Sequence, residues 1–200
     1  IIPKPLDPRL IYWVAPAVAK AAIESGVAQI IIKNWEAYEL DLMKRLGLDN
    51  KLIRNITEKA KSNTKKVVFA EADNYKILKA AQMAYDEGIA IPILLGNKSK
   101  ITSLIEEYKL DFGDCKIIDP RDDKYKSKRE EFAKILFNKR KRRGLTFFEC
   151  KKMMRERNYF ACAMVETGFA DVMLSGLTRN YKDTIKPALQ VIGVDENVNK

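Results

Sequence analysis

The chain contains no histidine. This removes every mechanism in which it would supply an imidazole base, a Ser-His or Cys-His nucleophile, or a His-ligated zinc. Cys115, Cys150 and Cys162 are odd in number and lack CxxC spacing, so they read as reduced, partly buried thiols and not as a disulfide frame or metal site. What is left is anion chemistry. Ser175-Gly176 follows an apolar run. A glycine there lets backbone amides approach an anion closely, and the next helix would offer its positive end; the alternative is an ordinary turn. Glu71-Ala72-Asp73 emerges in the same way from another apolar run. The third feature is Lys139-Arg140-Lys141-Arg142-Arg143, closed by Gly144. Clustered cations suit nucleic acid, the phosphates of a nucleotide-like ligand, or a solvated helix end whose dipole they complement and whose C-cap is Gly144. Charge alone leaves these three readings open. There is no GxGxxG, no GxxxxGK[ST], no zinc-finger spacing and no RNP-like aromatic motif.

The basic run belongs to a segment that carries the whole charge imbalance. From Lys124 to Arg157 there are 14 Lys and Arg against 4 Glu, which leaves 23 of each sign elsewhere and accounts for the net charge of +10. At 200 residues, 46% hydrophobic and 32% charged, the chain suits one globular domain, or one domain with an appendage. No apolar run approaches the roughly 20 residues of a membrane span, and the first segment lacks the pattern of a signal peptide. The expectation is a cytoplasmic protein with no membrane partner. The sequence opens Ile1-Ile2-Pro3-Lys4-Pro5 and ends shortly after a helical pattern, so both ends are expected to be cut.

The elements that must position these residues change character along the chain. Pro8 to Ser25 has helical spacing with Gly26 as its C-cap, and Pro16 either kinks that helix or splits it. Val27 to Lys33 is a short apolar stretch, Trp35 to Leu46 a second helix ended by Gly47, and Asn50 to Ser62 a third. From Lys65 the pattern alternates as in a parallel sheet covered by crossover helices. Strands are expected at Lys66 to Ala70, Ile89 to Leu95, Cys115 to Ile118 and Asp171 to Leu174. Helices are expected at Asn74 to Glu87, Lys98 to Lys109, about Asp123 to Arg143, after Thr146 with a capping box to Glu149, Tyr159 to Thr167, and from about Asp183. Any ligand should then sit at the carboxyl ends of the strands.

The stretches KKVVFAEADNYKILKAAQMAYDEGIAIPILLGN and NKRKRRGLTFFECKKMMRERNYFACAMVETGFADVMLSGLTRNYKDTIKPALQVIG resemble the phosphate acetyltransferase and phosphate butyryltransferase family. The form of the match is closer to the version fused to bacterial NADP-dependent malic enzymes. IIPKPLDPRLIYWVAPAVAKAAIESGVAQ is similar to the end of the malic nucleotide-binding domain, and NWEAYELDLMKRLG to the connector. The resemblance implies a division into residues 1–26, 27–64 and 65–200. It implies an α/β fold with a three-layer parallel sheet of the kind shared with isocitrate and isopropylmalate dehydrogenases, here truncated and preceded by helices.

The resemblance further implies that the complete protein oxidatively decarboxylates malate to pyruvate with NADP and a divalent metal, Mg or Mn. Both would be bound outside this fragment, which holds none of the malic catalytic residues. Acetyl-CoA is the implied effector of the transferase-like part, and a homo-oligomer without nucleic acid the implied assembly. The family's basic residue in LRKxKG falls at Arg140, and the one in TxRPALQ at Lys186, which replaces the usual Arg and cannot make its bidentate fork. Where transferases carry a His-Ser-Thr run after Ser175-Gly176, this sequence has Arg179-Asn180-Tyr181. The expected acyl-CoA or phosphate site is therefore Arg140, Ser175, Gly176, Arg179, Asn180, Tyr181 and Lys186. A regulatory acyl-CoA-binding domain, an active phosphate acyltransferase and a basic nucleic-acid-binding module are the competing functions.

Overall fold

The computed structural model describes residues 9–45 and 51–195. The chain divides into two compact units, Ile1–Lys59 and Ala60–Lys200. The ends of the expected helices at Pro8 and Leu46, the stop at Gly47 and the start at Asn50 lie outside the described residues.

In the first unit, Arg9–Glu24 (α1) is one helix with Pro16 inside it. Gly26, at φ 73°, closes the helix as a left-handed cap. The Gly26 amide donates to Ile23 O at 3.2 Å and the Val27 amide to Ala22 O at 3.1 Å. Val27 to Lys33 forms neither helix nor strand. Asn34 Oδ1 accepts from the Ala37 amide at 3.0 Å and starts Trp35–Arg45 (α2), which buries Leu42. The Lys20 ammonium stands 5.1 Å from the Trp35 ring centre. Trp13 is 72% exposed and Ile30 81%, so much of this unit's apolar surface remains in contact with solvent. Lys51–Ser62 (α3) follows and runs across the division between the units.

The second unit is built on four parallel strands: Lys65–Phe69 (β1), Ala90–Leu95 (β2), Lys116–Ile118 (β3) and Val172–Leu174 (β4), in the order β3-β2-β1-β4. The register sets Phe69 opposite both Leu94 and Leu174, and Ile93 opposite Lys116. Pro92 lacks an N–H for a ladder and sits in an inner strand, but β3 begins only opposite Ile93, so β2 has no neighbour on that side at Pro92.

Both faces of the sheet are covered, as the near-continuous apolar strands require. Phe69 and Leu94 pack with Leu78 of Tyr75–Asp86 (α4) and Ile101 of Lys98–Glu107 (α5). Val68, Ala70, Ile93 and Leu95 pack on the other face. There they meet Phe132 of Lys126–Arg140 (α6), Cys150 of Phe147–Met153 (α7), Phe160 of Arg157–Glu166 (α8) and Val191 of Tyr181–Val191 (α9). This is the expected three-layer α/β sheet. The capping box at Thr146 and Glu149 forms, with the Glu149 amide 3.2 Å from Thr146 Oγ1 and the Thr146 amide 2.8 Å from Glu149 Oε2.

Two helical expectations are corrected. The helix expected over Asp123 to Arg143 is α6 flanked by 3-10 turns at Asp123–Tyr125 and Lys141–Arg143, ended by Gly144 at φ 85°. The last helix starts at Tyr181, two residues before Asp183, because Asn180 Oδ1 accepts from the Asp183 amide at 2.9 Å and caps it.

Candidate functional site

The strand-end anion nest exists, and the protein fills it with its own carboxylate. Ser175 and Gly176 leave β4 beside Glu71, which leaves β1. Glu71 Oε1 accepts from the Gly176 amide at 2.5 Å, the Leu177 amide at 3.2 Å and Ser175 Oγ at 2.9 Å. Its Oε2 accepts from the Thr178 amide at 2.6 Å and from the Thr178 hydroxyl. Glu71 is 2% exposed. Burial pushes its carboxyl up, but the donors from Thr178, Gly176 and Ser175 outweigh that and hold it at about 2. Ser175 Oγ also lies 3.0 Å from Asn158 Oδ1, and Asn158 Nδ2 donates to Asp183 O at 3.1 Å, which ties the loop to α8 and α9. Ser175 and Gly176, expected to hold a ligand's phosphate, therefore hold Glu71 in this structure.

A second, separate feature is a cleft of about 660 Å³ between the end of α6 and the face of α9. Arg140, Tyr181 and Lys186 line it together, so three of the expected site residues converge. Arg143 and Lys182 add charge, and Ile185 and Leu189 give an apolar wall. The Arg140 guanidinium is engaged with the end of α9: Nε donates to Gln190 O at 3.0 Å and Nη2 to Leu189 O. Lys139 Nζ donates to Val191 O at 2.7 Å and pairs with Glu166. Two members of the basic run thus complement the negative pole of another helix in place of free solvent or a polyanion.

The remaining expected residues lie elsewhere. Arg179 is 3.9 Å from Glu156 Oε2, and Arg121 is 3.7 Å from its other oxygen. Asn180 is the cap of α9. At the carboxyl ends of β1 and β2, Arg157 pairs with Asp73 at 2.5 Å, against Gly96. An added Cβ at Gly96 would lie 3.4 Å from the Asp73 amide nitrogen and 3.3 Å from Ile101 Cδ1, so a small residue keeps the two strand ends close. Thr178, Asn158 and Lys182 are contributors that sequence reasoning did not single out; Glu71 was read only as a strand end and Arg143 only as part of the basic run. Among the described residues, no group of Cys, Asp and Glu stands where it could hold a metal ion. None of their helices is long and apolar enough to cross a membrane.

Comparison with known proteins covers this whole region. The pattern of the phosphate acetyl/butaryl transferase family matches residues 51–200. The NADP-dependent malic enzyme of Haemophilus influenzae is 36% identical over 202 residues, spanning 99% of this chain and 26% of that protein. That of Salmonella typhimurium is 34% identical, spanning 100% of this chain and 26% of its own length. The phosphate acetyltransferase of Helicobacter pylori is 38% identical over 146 residues, which is 73% of this chain and 28% of that one. Among solved structures, a phosphotransacetylase from Streptococcus pyogenes matches with a TM-score of 0.66 and 27% identity, over 76% of this chain and 45% of its own. The chain spans about a quarter of the length of the malic enzymes that it matches.

Proposed function

Because the chain belongs to the phosphate acetyl/butaryl transferase family, we propose that it is the transferase-like part of an NADP-dependent malic enzyme and that it senses acyl-CoA instead of transferring acyl groups. The observation that carries this reading is the pattern of coverage. The malic enzymes span 99% and 100% of the chain, and the phosphate acetyltransferase of Helicobacter pylori 73%. The first helices thus have counterparts in the malic enzymes. The complete protein would convert malate to pyruvate and CO2, with NADP taking the hydride and a divalent metal held by residues outside this chain. No step of that reaction is assigned to the residues described. A cytoplasmic homo-oligomer belongs to the same proposal.

Two features support sensing over transfer. By the resemblance, Lys186 stands where the transferases carry Arg, and Arg179-Asn180-Tyr181 where they carry His-Ser-Thr. Acyl transfer from a phosphate needs preorganised donors, and losing one typically costs about 100- to 1000-fold in rate. The cleft nevertheless keeps cations beside an apolar wall, which suits a phosphorylated ligand with an apolar arm. Active acyl transfer is the second reading, favoured by the 38% identity to the phosphate acetyltransferase of Helicobacter pylori.

The test uses the full-length protein. Malate oxidation is followed by NADPH formation, with and without acetyl-CoA, beside thiolysis of acetyl phosphate by CoA. The expected result is NADPH formation that acetyl-CoA alters, with no thiolysis above background. Thiolysis on the order of 10 per second, an ordinary enzymic turnover, would establish the second reading. Malate oxidation indifferent to acetyl-CoA would remove the sensor.

A further inference from the structure

The carbonyls of the last turn of α9 can be accounted for one by one. A helix leaves its final carbonyls without intrahelical partners. Ala188 O accepts from the Ile192 amide at 2.9 Å and the Gly193 amide at 3.0 Å, with Gly193 at φ 99°. Leu189 O and Gln190 O accept from the two arms of the Arg140 guanidinium, and Val191 O from Lys139. Tyr159 fixes the same turn from α8, its hydroxyl donating to Gln190 Oε1 at 2.5 Å. Every carbonyl from Ala188 to Val191 therefore has a donor, and three of them are served by the end of α6.

The other cations of the cleft are in a different state. Arg143, Lys182 and Lys186 are exposed, and among the described residues their side chains have no ion-pair or hydrogen-bond partner. Arg140 is half-buried and its fork is fixed on two successive carbonyls. A planar guanidinium can bridge two acceptors in this way; an ammonium offers one point charge.

We propose that Arg140 is a positioning residue, a clamp on the last turn of α9, and that Arg143 and Lys186 present the charge that an anionic ligand meets in the cleft. The second half rests on the reading that the cleft takes acetyl-CoA; the clamp does not. Arg140 acts on the ligand through α9, which carries Lys186 and the apolar wall formed by Ile185 and Leu189. Its family position, shared with a ligand contact, is here filled by a residue whose two engaged arms point to backbone.

The experiment compares Arg140→Lys, Arg140→Ala, Arg143→Ala and Lys141→Ala in the full-length protein. Acetyl-CoA affinity is measured by calorimetry at two salt concentrations, and hydrogen exchange of the amides at 188–193 without ligand. Arg143→Ala should weaken binding about tenfold, reduce its salt dependence and leave exchange unchanged. Arg140→Lys and Arg140→Ala should both accelerate exchange at 188–193, to within about twofold of each other, because neither keeps the two nitrogens, Nε and Nη2, that the guanidinium holds apart in one plane to meet the two carbonyls. Lys141→Ala should change neither quantity. Wild-type exchange in Arg140→Ala overturns the clamp, as does full protection in Arg140→Lys. Unaltered binding in Arg143→Ala overturns the ligand assignment. If the wild-type protein binds no acetyl-CoA, the sensor reading and the ligand assignment fall together, and the exchange measurement still decides the clamp.

Discussion

Glu71 and Thr178, 107 positions apart in the chain, meet at one oxygen: the Thr178 amide donates to Glu71 Oε2 at 2.6 Å, and its hydroxyl donates to the same atom. With Gly176, Leu177 and Ser175 on the other oxygen, the carboxylate organises the whole loop between β4 and α9. The loop then delivers Asn180 to the start of the helix that lines the cleft. Glu71 is thus a structural anion, and its removal should be felt in stability first.

Glu71→Ala should destabilise the second unit by roughly 3–5 kcal/mol, since it leaves several buried donors without an acceptor. Glu71→Gln keeps one carbonyl oxygen and should cost less, roughly 1–3 kcal/mol. Urea midpoints at neutral pH measure both. A Glu71→Ala midpoint within about 1 kcal/mol of the parent would show that the loop is held by other contacts.

Acid should act through the same group. The folded-state value of about 2 lies below the ordinary 4.5, so the ionised form is favoured by folding. Its contribution is complete above pH 4.5 and is lost as pH falls from there towards 2, amounting to on the order of 3 kcal/mol. In Glu71→Gln the fall in stability over that window should be shallower by this amount. Parallel acid titrations of the two proteins, followed by circular dichroism, would show that Glu71 carries no such linkage.

Base should act through two groups of α8. Burial pushes the Tyr159 phenol up to about 12 from its ordinary 10 and the Cys162 thiol up to about 12 from 9. For both, the neutral form is the one favoured by folding, so their contribution is present below the ordinary value and lost as pH rises towards 12. Tyr159→Phe should cost about 1 kcal/mol at neutral pH through the lost bond to Gln190. It should also flatten the loss of stability between pH 10 and 12, leaving the part due to Cys162. An unchanged alkaline slope would mean that Tyr159 ionises without unfolding penalty.

Much of this architecture is legible in the residues. Apolar runs that match buried parallel strands, Gly26 and Gly144 after helical patterns, and the Thr146–Glu149 spacing each have local causes, and local causes survive into the fold. What was not legible was adjacency. Glu71-Ala72-Asp73 and Ser175-Gly176 were each recognisable as strand ends, but their pairing depends on β4 lying beside β1, a neighbour relation between strands separated by two others in sequence. Once Phe69 is set opposite Leu174, continuing the register brings Glu71 to Gly176. Arg140, assigned to the ligand site by resemblance, does line the cleft, but its hold on Leu189 O and Gln190 O depends on another helix terminus packed against the end of α6, which leaves no mark in the local sequence. The start of the last helix was misplaced because Asn180 reads as a loop residue until its side chain is seen accepting from Asp183.

The strand order also bears on how these residues behave in a tube. Among the described residues β4 pairs with β1 alone, and Val172 and Leu174 are 41% and 51% exposed. A row of unmatched amides and carbonyls flanked by aliphatic side chains is a template onto which another extended chain can add. The three-residue length of β4 limits that hazard without removing it. Expressed by themselves, these residues should be prone to concentration-dependent self-association, which a charged substitution at Leu174 should suppress without unfolding the sheet.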